Sequence, residues 1–375
     1  MQNWSPGQID ALDMAGRWLK SCQGEMARGN RLSKPIFRLF GYAGTGKTTL
    51  AKTLASGCNY VVFAAFTGKA ALMMQRNGCG NASTIHSLIY AVNEDEKGRI
   101  SFTLDRESGA AHADLIVIDE CSMVDDVIGK DLMSYGKPIL VLGDPAQLPP
   151  VGGEGFFTSD LPDFLLTEIH RQADENPIIH MATELRNQRR LQIGSYGESS
   201  VVARGTLDGE YVASADQVLV GKNTTRQQFN SRLRRIAGFQ SKMPEITDRL
   251  VCLKNDKNLG IFNGGLFRMQ SAIPSHYDKT HIRMSVKSDD FPNERQVDVK
   301  VRREFFEGGA SDIPWQELRG TQQFDFGYAL TVHKAQGSQW DHVIVYDESG
   351  ISRDEWWRWL YTAVTRAADR LTLVI

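Results

Sequence analysis

Short apolar runs alternate with helix-forming stretches along the first part of the chain. Four of these runs, at residues 37–40, 60–66, 115–118 and 139–142, have the length and composition of buried strands. Each ends in a glycine, a small polar residue or a carboxylate, the residue types that bind ligands at the edge of open α/β sheets. The pattern predicts an α/β domain built on a parallel sheet.

A second set of short apolar runs predicts a second α/β unit of the same kind. These runs lie at residues 164–166, 217–220, 326–330, 342–346 and 371–375. We expect the first domain to comprise residues 1–90 and 114–165, and the second to comprise residues 166–245 and 323–375. The fold class is therefore α/β with two tandem domains.

Two insertions interrupt this alternation of predicted strands and helices. Residues 91–113 are polar and contain Lys97-Gly98 beside a strand-like run, which predicts a small β-hairpin. Residues 246–322 contain four short strand-like pieces, two of them joined by Asn263-Gly264, a strong turn signal. We interpret residues 246–322 as a small all-β subdomain.

Composition narrows the class of protein. The 375 residues are 41% hydrophobic and 23% charged, which is typical of a globular protein, and no run approaches 18 apolar residues. Residues 1–12 lack the basic and apolar regions of a secretory leader. The five cysteines are scattered without a C-x-x-C pair, which favours reduced thiols in a cytoplasm and argues against zinc.

The net charge of −2 gives no global signature of nucleic-acid binding, so any such binding must come from local patches. Residues 219–238 form one such patch, with five basic residues and no acid. Charge alone does not distinguish a phosphate-binding surface from a solvated helix face here.

Residues 41–48 carry the most specific chemistry, the P-loop pattern G-x-x-x-x-G-K-[ST] after an apolar run. Its glycines allow the backbone N–H groups to turn inward around a phosphate. Lys47 is suited to the β- and γ-phosphates, and Thr48 offers a hydroxyl to Mg²⁺. A chance glycine-rich turn is the alternative, but a strand before it and a helix after it favour nucleotide binding.

Two later segments complete a nucleotide site. Asp119 and Glu120 follow an apolar run, as expected of a Mg²⁺-holding aspartate and a glutamate that deprotonates the attacking water. Residues 143–150 contain three prolines that stiffen a loop, in which Gln147 could sense the γ-phosphate. Taken alone, the second segment is also typical of a surface turn.

Nine short motifs occur in a fixed order, and they extend from Gln8 almost to the C-terminus. They are Gln8 and residues 41–49, 65–71, 83–88, 119–123, 143–150, 167–172, 327–338 and 361–367. This ordered set resembles the superfamily 1 helicases, within them the RecD/Dda-like 5′→3′ group. The resemblance covers residues 8–375, and the total length is similar to that of compact phage Dda-type enzymes.

The resemblance implies two RecA-like domains with ATP in the cleft between them. The residues implied to bind ATP are Gln8 (reading adenine), Gly41, Tyr42, Ala43, Gly44, Thr45, Gly46, Lys47, Thr48, Thr49 and Gly337. Thr48 and Asp119 are the implied Mg²⁺ ligands, and Lys47, Glu120 and Gln147 complete the catalytic set of the first domain.

The second domain is implied to supply Arg171 and Arg366 to the γ-phosphate. An arginine that reaches the transferred phosphoryl group accelerates such reactions by roughly 10³–10⁵-fold. The alternative for each is a salt bridge on a helix surface, worth less than about 1 kcal/mol.

The resemblance also implies a track for single-stranded DNA across both domains. Its expected members are Phe66, Thr67, Lys69, His86, Lys222, Arg226, Thr331, His333 and Lys334. From the residues alone, Phe66 equally suits a buried strand position and the histidines suit core or helix positions. Residues 91–113 resemble the pin that splits the duplex, with Phe102 as its apolar residue, although a simple surface hairpin is the alternative. Residues 246–322 resemble the family's SH3-like subdomain.

These observations favour an ATP-dependent DNA helicase that moves 5′→3′ on single strands and unwinds duplexes. The alternatives are a translocase that remodels protein–DNA complexes without processive unwinding, a binding module with a structural nucleotide site, and a small-molecule kinase. Expected partners are single-stranded DNA, duplex junctions, and single-strand-binding or replication proteins. We expect a cytoplasmic monomer in replication or repair, and a phage origin would place it in the bacterial host.

Overall fold

The computed structural model describes residues 4–94, 100–149, 155–168, 176–256, 258–273, 278–290, 293, 295–351 and 353–375. The chain divides into two compact units, Met1–His180 and Met181–Ile375. None of the helices within the described ranges is both long and apolar enough to cross a bilayer.

The first unit is built on a six-stranded parallel sheet. Its strands are β1 Ile36–Gly41, β2 Val61–Ala65, β3 Ser83–Thr84, β6 Leu115–Asp119, β7 Ile139–Gly143 and β8 Phe164–Leu166. They are arranged in the order β3-β2-β6-β7-β1-β8. The carboxyl ends of β6, β7 and β1 are therefore neighbours at one edge of the sheet, where ligands of such sheets bind.

Helices cover both faces of this sheet because its central strands alternate between two apolar cores. They are α1 Pro6–Ala27, α2 Lys47–Ala55, α3 Gly68–Arg76, α4 Ile85–Ile89, α5 Gly109–His112 and α6 Asp126–Met133. Ile116 and Val141 pack in a core with α4 and α6, whereas Val117 and Leu140 pack in a core with α1 and α2. Burial on both faces explains the continuous apolar runs of these strands.

A two-stranded antiparallel hairpin projects from the first unit. It consists of β4 Tyr90–Glu94 and β5 Ile100–Leu104, with Tyr90 paired to Leu104. A hairpin was predicted here, although its first strand starts one residue earlier and helix α5 occupies part of residues 91–113. The predicted Lys97-Gly98 turn lies outside the described residues.

The second unit contains another six-stranded sheet. Its strands are β9 Gly194–Tyr196, β10 Ser199–Val202, β11 Gln217–Val220, β17 Ala329–Thr331, β18 Trp340–Tyr346 and β19 Ala367–Val374, in the order β17-β11-β18-β19-β10-β9. All pairs are parallel except β9 with β10. Among the described residues, the helices that accompany this sheet are α8 Gly209–Ala213, α9 Asn223–Ile236 and α11 Trp356–Val364. Helix α7, Pro177–Arg186, contains the boundary between the units.

The all-β insertion forms a five-stranded antiparallel sheet with its own apolar core. Its strands are β12 Arg249–Cys252, β13 Leu266–Ala272, β14 His281–Ser288, β15 Val297–Arg302 and β16 Phe324–Phe326, in the order β15-β14-β13-β12-β16. One short helix, α10 Glu304–Glu307, follows β15. Gly264 has φ 84° at the predicted turn, a conformation that favours glycine.

Two sequence-based assignments were wrong. The run at residues 164–166 was grouped with the strands of the second unit, and the expected domain boundary fell between residues 165 and 166, but β8 pairs with β1 and completes the first sheet. Residues 326–330 were predicted as one strand, but β16 belongs to the insertion and β17 to the second sheet. Gly327 lies between these two strands and packs closely against the neighbouring strand β12, because a Cβ at this position would lie 2.9 Å from the Leu250 backbone.

Candidate functional site

The P-loop connects β1 to α2 with the backbone geometry that its glycines predict. Gly44 and Gly46 have φ 77° and 80°, and Gly46 is the N-cap of α2. A Cβ on Gly41 would lie 2.6 Å from Thr45 Oγ1 and 2.8 Å from Leu166 Cβ. The loop therefore requires glycine at these three positions for conformation or close packing.

Lys47 lies over its own loop. Its Nζ donates to the carbonyl oxygens of Gly41 at 2.7 Å and Tyr42 at 3.0 Å. Thr45 is buried, and its hydroxyl also donates to Tyr42 at 2.8 Å. The ammonium group is thus held against the backbone of the loop, whose sequence pattern is that of phosphate-binding loops.

The end of β6 meets the start of α2. Thr48 Oγ1 donates to Asp119 Oδ2 at 2.9 Å, so the two predicted Mg²⁺ ligands are in contact. A hydroxyl and a carboxylate oxygen are hard donors of the kind that Mg²⁺ binds, and their adjacency fits this ion.

Glu120 begins a sharp turn after β6. Its backbone is left-handed, with φ 52° and ψ 44°, and its N–H donates to Asp119 Oδ1 at 2.8 Å. Successive strand side chains point to opposite faces, but this turn allows both carboxylates to serve one side. A left-handed glutamate is strained, and such strain concentrates at functional sites.

Gln147 lies in a braced loop after β7. The side chain of Asp144 accepts from the N–H of Ala146 at 3.0 Å, and its carbonyl accepts from the N–H of Gln147 at 3.1 Å. Asp144 and Gln147 are both buried. Asp144 was not selected from the sequence, although an aspartate before proline is a typical turn-forming residue.

Gln8 braces the P-loop from helix α1. Its Nε2 donates to the Thr45 carbonyl at 3.1 Å, and its Oε1 accepts from the Ser5 N–H at 3.0 Å. The side chain is 2% exposed. Both ends of the amide contact protein backbone, so reading adenine would require these bonds to be exchanged.

The predicted arginines differ in what the structure describes. Arg171 lies outside the described residues. The buried Arg366, in the second unit, donates to the carbonyls of Thr362 and Ser338, each at 3.1 Å, and to Thr365 Oγ1 at 3.3 Å. Gly337, in the same unit, has φ 73°.

The DNA-facing residues predicted in the first unit cluster around the end of β2. Phe66 and His86 are edge-to-face neighbours with centroids 6.1 Å apart, and Thr67 caps α3 by accepting from Ala70. Lys69 is buried on α3, so it does not present an exposed phosphate-binding cation as predicted. Partial desolvation lowers the pKa of His86 and favours its neutral form.

The DNA-facing residues predicted in the second unit cluster around the end of β17. Thr331 is buried, His333 is half-buried with a pKa lowered by desolvation, and Lys334 and Lys222 are exposed. The hydroxyl of Thr331 accepts from the Lys334 N–H at 3.4 Å.

Arg226 does not behave as predicted. It is 5% exposed, and its Nη1 lies 2.8 Å from Asp325 Oδ2. This ion pair, in which Arg226 is buried and Asp325 is partly exposed, removes Arg226 from the set of exposed phosphate contacts. Asp325, far away in sequence, gave no pattern that could have identified the pair. Desolvation and the Arg226 charge lower the pKa of Lys334, whereas Asp325 raises it.

Two family models match the chain. The model described as an AAA domain matches residues 19–206, and the model described as a UvrD-like helicase C-terminal domain matches residues 326–374. The second match contains Gly337 and Arg366.

Curated relatives include two DNA helicases. The ATP-dependent RecD2 DNA helicase of Deinococcus radiodurans is 30% identical over 369 residues, covering 88% of this chain and 46% of that protein. The ATP-dependent DNA helicase dda of Enterobacteria phage T4 is 34% identical over 163 residues, covering 39% of this chain and 37% of that protein. The aligned part of the chain spans less than half the length of these relatives.

Solved Pif1 helicase structures share the fold. A structure of two coordinating Pif1 helicases at forked dsDNA aligns with TM-score 0.59 and 17% identity, covering 99% of this chain and 92% of that one. Bacteroides Pif1 with ADP-AlF3 and ssDNA aligns with TM-score 0.56 and 18% identity, covering 94% and 91%. These alignments confirm an α/β fold whose parallel sheets resemble tandem RecA-like helicase domains.

Proposed function

We propose that this chain, a member of the AAA-domain family that is similar to the RecD2 and Dda helicases, is an ATP-dependent DNA helicase of superfamily 1. It moves 5′→3′ along single-stranded DNA and unwinds duplexes as it hydrolyses ATP. The polarity and the unwinding are taken from the family resemblance. The proposed partners are single strands and duplex junctions, met in the cytoplasm.

The contact between Thr48 and Asp119 carries the ATPase part of this proposal. It joins the helix after the P-loop to the acidic end of β6 at 2.9 Å, so the phosphate-binding and acidic groups form one site. Bound Mg²⁺, held by Thr48 and Asp119, would neutralise charge on the phosphates. The loop N–H groups and Lys47 would hold the phosphates in place.

We propose that the acidic and amide side chains of this site carry out the hydrolysis. Glu120 takes a proton from a water whose oxygen attacks the γ-phosphorus. The bond from that phosphorus to the β,γ-bridging oxygen breaks, which leaves ADP and inorganic phosphate. Gln147 orients the water or the γ-phosphate, and Arg171 and Arg366 stabilise the charge that develops on the transferred group.

The DNA part of the proposal uses residues of both units. In the first unit, the residues that contact the strand are Phe66, Thr67 and His86. In the second unit they are Lys222, Thr331, His333 and Lys334. The β4–β5 hairpin acts as the pin that separates the strands, and the five-stranded insertion corresponds to the family's SH3-like subdomain.

An unwinding assay tests the proposal directly. Duplexes with a 5′ or a 3′ single-stranded tail are incubated with protein and ATP, and strand separation is followed by fluorescence. We expect separation of the 5′-tailed duplex only, and none by Lys47→Ala, which lacks the phosphate-binding ammonium group. Displacement of streptavidin from biotinylated single strands without duplex separation would support the translocase instead. ATP turnover that does not respond to single-stranded DNA would contradict both.

A further inference from the structure

The base of the β4–β5 hairpin is fastened by the hydroxyl of Tyr135. This residue follows α6, and its Oη lies 3.1 Å from the carbonyl of Ile89 and 2.7 Å from the carbonyl of Asp105. Ile89 immediately precedes β4 and Asp105 immediately follows β5. The single phenolic proton bonds to the nearer Asp105 carbonyl or is shared between the two carbonyls, and the oxygen accepts from Ser108 Oγ at 3.3 Å. The Tyr135 hydroxyl therefore lies at the point where the two ends of the hairpin meet the first unit.

A second tyrosine fastens the first strand to the same helix. Tyr90 opens β4, and its hydroxyl donates to Asp131 Oδ2 on α6 at 2.5 Å. Desolvation and this hydrogen bond raise the pKa of Tyr90, so the hydroxyl keeps its proton. Next to them, the Arg106 guanidinium donates to Ser134 Oγ at 3.1 Å. Helix α6 and the turn after it thus hold the hairpin by three side chains.

A row of aromatic rings leads from the sheet edge onto the hairpin. Phe66 meets His86 at 6.1 Å, His86 meets Tyr90 at 5.8 Å, and Tyr90 meets Phe102 at 6.5 Å between centroids. Phe66, Tyr90 and Leu104 also pack against the core of the first unit. Phe102 ends the row and is 62% exposed, so it presents an aromatic ring to solvent on an anchored strand.

An isolated two-stranded hairpin is marginally stable at best, so one that must press against base pairs needs external support. The support comes from α6, which follows β6 and its acidic end in the chain. The hairpin is therefore supported by a helix that follows Asp119 and Glu120 directly in the chain.

We propose that Tyr135 and Tyr90 are positioning residues for strand separation. Their hydroxyls lock the base of the hairpin to α6 and so fix the place where Phe102 meets the duplex junction. This inference rests on the proposed function, in which the hairpin separates the strands. Separation depends on these two hydroxyls, whereas ATP turnover and movement along single strands do not.

Tyr135→Phe and Tyr90→Phe test the inference, because each keeps its ring and loses one hydroxyl. We expect either variant to unwind a 5′-tailed duplex at least about fivefold more slowly than the wild type, as for the loss of one stabilising hydrogen bond. Turnover of ATP with single-stranded DNA and displacement of streptavidin should stay within about twofold. Tyr211→Phe is the matched control, since it removes a hydroxyl that contacts Thr372 in the second unit.

A double variant separates positioning from a general loss of stability. Phe102→Ala should slow unwinding. Adding Tyr135→Phe to it should reduce the unwinding rate little further, because the Tyr135 hydroxyl acts by positioning the Phe102 ring. Fully additive losses, or an equal fall in ATP turnover, would overturn the inference. So would unwinding at the wild-type rate by both tyrosine variants. A wild-type protein that does not unwind at all refutes the proposed function itself. Thermal unfolding checks each variant, and Tyr90→Phe carries the test if Tyr135→Phe does not fold.

Discussion

Glu120 is the residue whose backbone and side chain both point to catalysis. A left-handed conformation costs a non-glycine residue about 1–2 kcal/mol, and here it turns the chain immediately after Asp119. The cost is offset by the bond from the Glu120 N–H to the Asp119 carboxylate. The turn thereby places a potential base next to a potential metal ligand.

We predict that Glu120→Gln lowers ATP turnover by about 10²–10⁴-fold, the usual contribution of a general base. The amide has the shape of the carboxylate, so nucleotide affinity should change little. Steady-state turnover with single-stranded DNA and titration with a fluorescent ATP analogue measure the two effects.

Glu107→Gln is the matched control, because Glu107 is exposed in the same unit. It should leave both quantities unchanged. Turnover by Glu120→Gln at the rate of this control would rule out the role of Glu120 as the base.

The residues proposed for the nucleotide site could be selected from the sequence because their spacing determines the backbone geometry of the loop. A loop that turns its N–H groups inward needs glycines at fixed offsets, and these are visible in sequence. The surroundings of Gln8, Lys69 and Arg226 could not be predicted in the same way. Their burial depends on groups that only the fold brings near, such as the Thr45 carbonyl for Gln8 and Asp325 for Arg226.

At the scale of elements, the apolar pattern predicted most strands but not the partners of the shortest. A run of three apolar residues at 164–166 carries no signal for the sheet it joins, and pairing with β1 decided its unit. The contact between the Tyr135 hydroxyl and the ends of the β4–β5 hairpin could not be predicted either, because a tyrosine after a helix usually serves only in packing. The Asn263-Gly264 turn and most strands could be predicted from local sequence, whereas strand order depends on long-range contacts.

A buried ion pair connects helix α9 to the start of the all-β insertion. Asp248 is fully buried and accepts from Arg234 Nε and Nη2, the closest contact being 2.6 Å, and from the Tyr328 hydroxyl at 2.9 Å. The Arg234 guanidinium also lies 3.9 Å from the centroid of the Phe326 ring. Removing one charge would leave the other buried without compensation.

We predict that Asp248→Asn lowers the free energy of unfolding by about 3 kcal/mol or more, as expected when one member of a buried pair is removed. Urea denaturation followed by tryptophan fluorescence measures the change. Arg303→Ala removes a more exposed pair with Glu307 and should cost less than about 1 kcal/mol. Similar losses for the two variants would contradict a structural role for the buried pair.

At the scale of the whole molecule, the net charge of −2 means that affinity for DNA must come from local groups. Exposed Lys222 and Lys334 remain candidates for such groups, whereas Arg226 is paired and buried. Since His86 and His333 have lowered pKa values, they would contribute ring contacts or neutral hydrogen bonds near pH 7. The residues proposed to bind nucleotide gave the stronger sequence pattern, because many of them lie in one contiguous loop, whereas those proposed to contact DNA are dispersed along the chain.

We predict that His342 makes the stability of the chain depend on pH. His342 lies near the start of β18 and is only 5% exposed. Its Nδ1 lies 3.1 Å from Arg370 Nη2. Desolvation, followed by the Arg370 charge, lowers the pKa of His342, while Asp216 opposes the shift. The Tyr211 ring, with its centroid 5.8 Å away, adds no charge near neutral pH. The folded state therefore binds a proton at His342 less readily than the unfolded state does.

The direction of the pH effect follows from this difference. Above the ordinary histidine pKa of about 6.5 neither state is protonated, so burial of the neutral ring carries no proton-linked cost. Below it the unfolded state takes up a proton first, and stability falls by up to about 1.4 kcal/mol per pH unit until the folded pKa is reached.

We predict that His342→Gln, which keeps an acceptor for Arg370 but cannot titrate, shows a smaller fall in urea midpoint between pH 7 and 5. His112→Gln removes an exposed histidine and should retain the wild-type slope. Equal slopes for wild type and His342→Gln would mean that other groups cause the acid sensitivity.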